Sequence, residues 1–203
     1  MLGLPSNTEI KMIIPKKQFY GKLSIGVAEQ KVFDEYIKQL VIVHEISNRT
    51  IPSLNVTEHL RAVFVLKVIL KQEDCPDKLI EKLSKLVDQK LILALTYGQQ
   101  VELVVYYKNK LRKAAKQNAE ALQLRIDGAD IEKVWENLIA QTSDIKLEEG
   151  KDLQETVANM DAKIKLATEI AKLTKRMGNE RQPRKKLELR QEINRMKKEM
   201  EAL

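Results

Sequence analysis

Few residues in this chain have the types and spacing that chemistry needs. Its only two histidines, His44 and His59, each stand beside a glutamate, in His44-Glu45 and Glu58-His59. If a strand pairing brought the two dipeptides together, they would form an acid–base cluster. Metal-dependent phosphodiester cleavage needs two or three carboxylates, often with a lysine, at strand ends, to hold Mg²⁺ and activate water. Glu45, Glu58, Asp88 with Lys90, and Glu102 are the candidates, yet none forms a tight acid-x-Lys unit within an expected strand. Cys75 has no cysteine partner, and no zinc-ligand spacing exists. The seven glycines form neither a phosphate loop nor a dinucleotide fingerprint. No serine sits in a nucleophile elbow. The expectation is no catalytic residue, no metal and no cofactor, with a small nuclease built on the sheet as the alternative.

The other chemistry in the sequence is electrostatic. Lys172, Lys175, Arg176, Arg181, Arg184, Lys185 and Lys186 share fifteen positions with one acid, Glu180. Directly after them, Leu189, Ile193, Met196, Met200 and Leu203 are spaced 4, 3, 4 and 3, the a/d seam of a coiled coil. A basic joint and a packing seam are tools for binding. The net charge is +7. Residues 1–150 carry 22 Lys and Arg against 20 Asp and Glu, and residues 151–203 carry 14 against 9, so the tail holds most of the excess. A locally basic segment favours polyanions: nucleic acid, an acidic protein face or an anionic surface.

The elements that must position these residues follow from periodicity. With 43% hydrophobic and 32% charged residues, the chain has enough apolar surface to fold. Residues 1–26 read as irregular or short-stranded. There, Ile14-Pro15-Lys16-Lys17-Gln18-Phe19-Tyr20 either clamps a phosphate and stacks a base, or docks its aromatics on the core while its lysines stay wet. The second reading is favoured. Val27 to Val41 reads as an amphipathic helix, and Val41 to Ile46 as a strand or its continuation. Arg61 to Leu70 is a central strand. Asp74 is the expected N-cap of a helix with Leu79, Ile80, Leu83, Leu86 and Val87 as its stripe. Leu91–Leu95 and Val101–Tyr107 form a hairpin about a Gly98 turn. From Lys108 the pattern loosens, with a second basic cluster of Lys108, Lys110, Arg112, Lys113 and Lys116. Asp130 caps a helix in which Trp135 belongs to the core. Glu148-Glu149-Gly150 closes the globular part.

The fold expected is α+β: a small, mainly antiparallel sheet with packed helices over 1–149, followed by a helical hairpin or coiled coil over 150–203. In the tail, one stripe is Leu153, Val157, Met160, Ile164, Ala167 and Ala171. A second is Leu166, Ile170, Leu173 and Met177. Neither runs in phase into the Leu189 seam. The break coincides with Gly178, an expected C-cap, and Pro183, an expected first-turn residue, so a hairpin with a basic tip is preferred over one long helix. Self-association through the tail is a third reading.

A lone cysteine fits a reducing compartment. The opening MLGLPSNTEIK lacks the pattern of a secretory signal, and no apolar run approaches the ~18 residues of a membrane span. The protein is expected in the cytoplasm.

Taken together, Leu4-Pro5, Ile14 to Tyr20, Ala62–Leu70, Val105-Tyr106-Tyr107-Lys108, the Trp135 helix and Gln182 to Leu203 resemble a bacterial and archaeal family known as a domain of unknown function. The resemblance covers most of the chain. Members tend to be encoded beside helicases and DNA methyltransferases of restriction or antiphage type. It therefore implies an accessory subunit of a DNA-acting assembly, with a helicase-like or methyltransferase-like subunit as partner. It implies no catalytic residue.

Overall fold

A computed structural model describes residues 2–143, 145 and 152–202 of the chain. The chain divides into two compact units, Met1–Ile145 and Lys146–Leu203. Glu148-Glu149-Gly150 and the boundary expected there lie outside the described residues, as does Leu203.

The first unit is built on one seven-stranded sheet in the order β1-β2-β3-β4-β5-β6, with β7 also on β5. The strands are β1 (Glu9–Ile14), β2 (Ile37–Ser47), β3 (Ala62–Leu70), β4 (Lys90–Tyr97), β5 (Gln100–Tyr107), β6 (Lys110–Lys113) and β7 (Gln117–Asn118). Every pairing is antiparallel except β3 with β4. Those two are joined by α3 (Asp77–Ser84), as a parallel pair requires a crossover. The α+β class, with a mostly antiparallel sheet, is the one the sequence implies.

Alternation along β3 explains the layering. Leu66, Val68 and Leu70 join one apolar core with Phe19, Phe33, Leu40, Ile80, Leu83 and Leu93. That core lies beneath α1 (Lys16–Lys22), α2 (Val27–Tyr36) and α3. Val63 and Val65 are fully buried on the other parity. That side meets α4 (Ile131–Thr142), which contacts β3 and β5. A sheet covered on both faces has central strands apolar throughout, and Leu91 to Thr96 of β4 are all buried.

Several local expectations need correction. The helix expected to run to Val41 stops at Tyr36, and Ile37 is already extended at φ −110°, ψ 124°. Ile37 to Val43 is rich in β-branched residues, and pairing with β1 and β3 outweighs the helical periodicity. Asp74 does not cap α3: Pro76 holds that position, and the Asp74 carboxylate accepts from Lys116 Nζ at 2.7 Å. The segment after Lys108 holds two short strands, β6 and β7, where the sequence suggested only a loosened pattern. Lys108 and Asn109, at φ 48° and 60°, make the two-residue turn into β6. Two left-handed residues are what such a turn demands.

Other expectations hold. Gly98, at φ 57°, opens the two-residue β4–β5 turn. Asp130 caps α4 by accepting from the Lys133 N–H at 2.8 Å. Trp135 is buried.

The second unit holds α5 (Leu153–Asn179) and α6 (Pro183–Ala202), which pack against each other. A three-residue connector, 180–182, joins them. The break expected between Met177 and Leu189 is therefore real. Pro183 starts α6 as expected, while Gly178 lies inside α5 and Glu180 is the C-cap.

Candidate nucleic-acid interface

The hairpin is held by an apolar cluster from both helices. Leu173 of α5 and Leu189 and Ile193 of α6 are buried together, with Ile170, Met177 and Met196 packed around them. The spacings 170-173-177 and 189-193-196 place each trio on one helical face. Met200 is half-buried, continuing the seam toward the end of α6. The second α5 stripe thus faces α6. In the first, Met160 and Ile164 stay exposed.

All seven basic residues singled out by sequence lie within about two turns of the connector. Lys172, Lys175 and Arg176 end α5, Arg181 is in the connector, and Arg184, Lys185 and Lys186 begin α6. All are exposed. Lys172 pairs with Glu169 at 3.3 Å, and Arg184 with Glu188 at 3.5 Å. Lys175, Arg176, Arg181, Lys185 and Lys186 make no ion pair among the described residues. Arg190, one turn further on, is exposed too and was missed. Its signal was the same excess of cations, read one turn too short. From Lys172 to Arg190 there are eight Lys and Arg against two Glu.

The single acid at the turn is occupied by the backbone. Glu180 Oε1 accepts from the Arg181 and Gln182 N–H groups, each at 2.9 Å. The Gln182 N–H is the main cause holding this carboxyl below its ordinary range, aided by the Arg181 N–H and by the charges of Lys185 and Arg176. The helix termini add an asymmetry. Cations ending α5 complement the negative end of its dipole, whereas α6 has no acid in its first turn and carries three cations against the positive end. Each such placement costs about 0.3–1 kcal/mol at an exposed site. The α6 start thus concentrates positive potential where backbone N–H groups also favour an anion.

The second basic cluster is different. Lys113 pairs with Asp77 at 2.6 Å and Lys116 with Asp74 at 2.7 Å. Arg112 is buried. Asp77, which begins α3, and Asp74, just before it, thus offset two of its five cations.

The carboxylates weighed for catalysis do not converge. Glu45 is buried and accepts from Ser47 Oγ at 2.8 Å and Arg49 Nε at 3.0 Å, with a second Arg49 nitrogen on its other oxygen. Arg49 is the main cause holding its carboxyl below the ordinary range. His44 is buried, with Nδ1 3.0 Å from Thr8 Oγ1. Because the Thr8 hydroxyl donates to Pro5 O, the ring nitrogen facing it is the donor. Glu58 and His59 are exposed on the β2–β3 connection. Asp88 pairs with Lys22 at 3.2 Å. Among the described residues no group of three or more His, Cys, Asp and Glu is placed to hold a metal ion.

One cleft lies at the C-terminal ends of β3 and β4, lined by Leu70, Glu73, Cys75, Leu95, Tyr97, Glu102 and Lys116. The ends of parallel strands are a customary ligand position. Its space is about 10 Å³, enough for one water. The Cys75 thiol beside it is pushed up to about 12, chiefly by burial, so it is protonated near neutral pH and a poor nucleophile.

The aromatic-lysine segment also resolves. Phe19 is fully buried against Phe33, with ring centroids 4.2 Å apart. Lys16 Nζ and Tyr20 OH both donate to Asp34 Oδ1, at 2.6 and 2.9 Å. These groups lock α1 to α2 and leave no stacking platform.

The chain belongs to the family described as Domain of unknown function (DUF4391), which matches residues 2–200. No curated protein and no solved structure matches it. Among the described residues, no helix is long and apolar enough to cross a membrane.

Proposed function

We propose that this chain is a non-catalytic interaction subunit of a DNA-acting assembly, and that the hairpin tip supplies its electrostatic contact to nucleic acid or to an acidic partner surface. The observation that carries the reading is the concentration of charge: eight cations to two acids between Lys172 and Arg190, with Glu180 engaged by backbone N–H groups. Six of those cations, Lys175, Arg176, Arg181, Lys185, Lys186 and Arg190, make no ion pair among the described residues. The Leu173–Leu189–Ile193 cluster supports this reading, because it fixes the basic residues of both helices around one turn. Contacts of this kind give salt-sensitive affinity without base readout. A restriction or antiphage setting, with a helicase or methyltransferase-type subunit as the docking partner, is the assembly this reading favours.

The test is a gel shift at low salt on the full chain, comparing it with a variant in which Lys175, Arg176, Arg181, Lys185 and Lys186 are changed to Gln. Binding should weaken for DNA of any sequence, with the melting temperature retained. Unchanged binding would reject the tip as the contact.

A further inference from the structure

We propose that the ligand of the hairpin tip is duplex DNA, whose major groove the tip enters edge-on and whose phosphates it meets on both groove walls. This rests on the reading of the tip as a polyanion contact, and it names the polyanion. The cations occupy both broad faces of the hairpin. The seam between the helices is Ile170, Leu173 and Met177 on α5 and Leu189, Ile193 and Met196 on α6. At about 100° per residue, Arg176 stands about 90° from the centre of its seam and Lys185 about 50° from its own, in the same rotational sense. Lys186 and Arg190 stand about 50° and about 90° away in the opposite sense. Where two antiparallel helices share a seam, flanks of the same sense point to the same side. Arg176 and Lys185 therefore share one broad face, and Lys186 and Arg190 the other. All four are exposed.

Across those faces the hairpin is one helix thick, about 10–12 Å with side chains. The major groove of B-form DNA is about 12 Å wide and about 8.5 Å deep. Arg190, the cation of these four farthest along its helix, lies about 10 Å from the start of α6. Each groove wall carries its own row of phosphates, so both faces are engaged at once. A single strand has one row and can engage only one face. Duplex RNA has a major groove too narrow for such an insertion. The composition agrees. Residues 151–203 contain no Phe, Tyr, Trp or His, and proteins that bind single strands stack unpaired bases on aromatic rings.

Fluorescence anisotropy of the full chain at low salt tests this, with one sequence supplied as duplex DNA, single-stranded DNA and duplex RNA, and with polyglutamate as competitor. Duplex DNA should bind on the order of tenfold tighter than the other two nucleic acids. A duplex whose hydroxymethylcytosines carry glucose, which fills the major groove, should bind weakly. Arg176→Gln with Lys185→Gln, and Lys186→Gln with Arg190→Gln, should each lower the salt slope for duplex DNA by about 2. Single strand or duplex RNA bound as tightly as duplex DNA overturns the groove assignment. If that affinity is lost when Lys175, Arg176, Arg181, Lys185 and Lys186 become Gln, the tip still stands as a polyanion contact. Undiminished binding to the glucosylated duplex, or one pair of substitutions without effect, also overturns the two-walled grip. Polyglutamate bound in preference to every nucleic acid assigns the tip to an acidic protein surface instead. Binding that no tip substitution alters overturns both readings.

Discussion

Glu45 shows how residue type and residue role part company. Beside His44 on a strand it has the composition of an acid–base site, yet Arg49 and Ser47 consume its carboxylate within the same turn. Its folded-state pKa is depressed. Its contribution to stability is therefore complete above the ordinary glutamate range and is lost as pH falls through the lower folded value. Glu45→Gln should lower the melting temperature at neutral pH and flatten its fall on acidification, and a pH series of thermal melts checks this. Equal acid slopes for both proteins would mean that the pair contributes nothing. No sequence spacing announces such a pairing, because Arg49 reaches Glu45 only through the bend that follows β2. Trp135 and Phe19 were legible for the opposite reason. A large aromatic on an apolar stripe has few places to go except the core.

At the scale of elements, the sequence was most legible where one periodicity ran without competition. The apolar run of β3, the Gly98 hairpin, the Asp130 cap and the phase break before Leu189 all reappear in the structure. It was least legible where two signals overlapped. Residues 37–41 fit a helix stripe and a strand equally, and only pairing with β1 and β3 decides. The parallel β3–β4 pairing was also hidden, since a strand-helix-strand order does not by itself fix which strands become neighbours. The basic tip was legible as composition, and its placement required the hairpin. The start of α6 offers a test at this scale. Lys185→Glu should stabilise the folded chain by about 0.3–1 kcal/mol, because an acid suits a helix N-terminus, and should weaken binding to DNA. A rise in melting temperature with a fall in affinity would show that α6 gives up stability to hold a cation there. A variant that is both less stable and fully active in binding would contradict that.

For the whole molecule, charge distribution separates the two main readings. The sheet unit is nearly neutral, and two cations of its second basic cluster, Lys113 and Lys116, pair with Asp77 and Asp74. The excess sits on the hairpin, around one turn. An enzyme acting on phosphodiesters would gather carboxylates where the field is positive. Here Glu45 is spent on Arg49, and no metal-holding cluster occurs among the described residues. Purified chain incubated with DNA or RNA and Mg²⁺ or Mn²⁺ should leave the substrate intact, and cleavage abolished by Glu45→Ala would favour the nuclease instead.

The most direct measurement is the salt dependence of DNA affinity, for the unaltered chain and for the variant with Lys175, Arg176, Arg181, Lys185 and Lys186 changed to Gln. If those five cations meet phosphates, log affinity should fall against log salt with a slope on the order of −4. The variant should bind weakly with a much shallower slope. Parallel slopes for the two proteins would contradict the account.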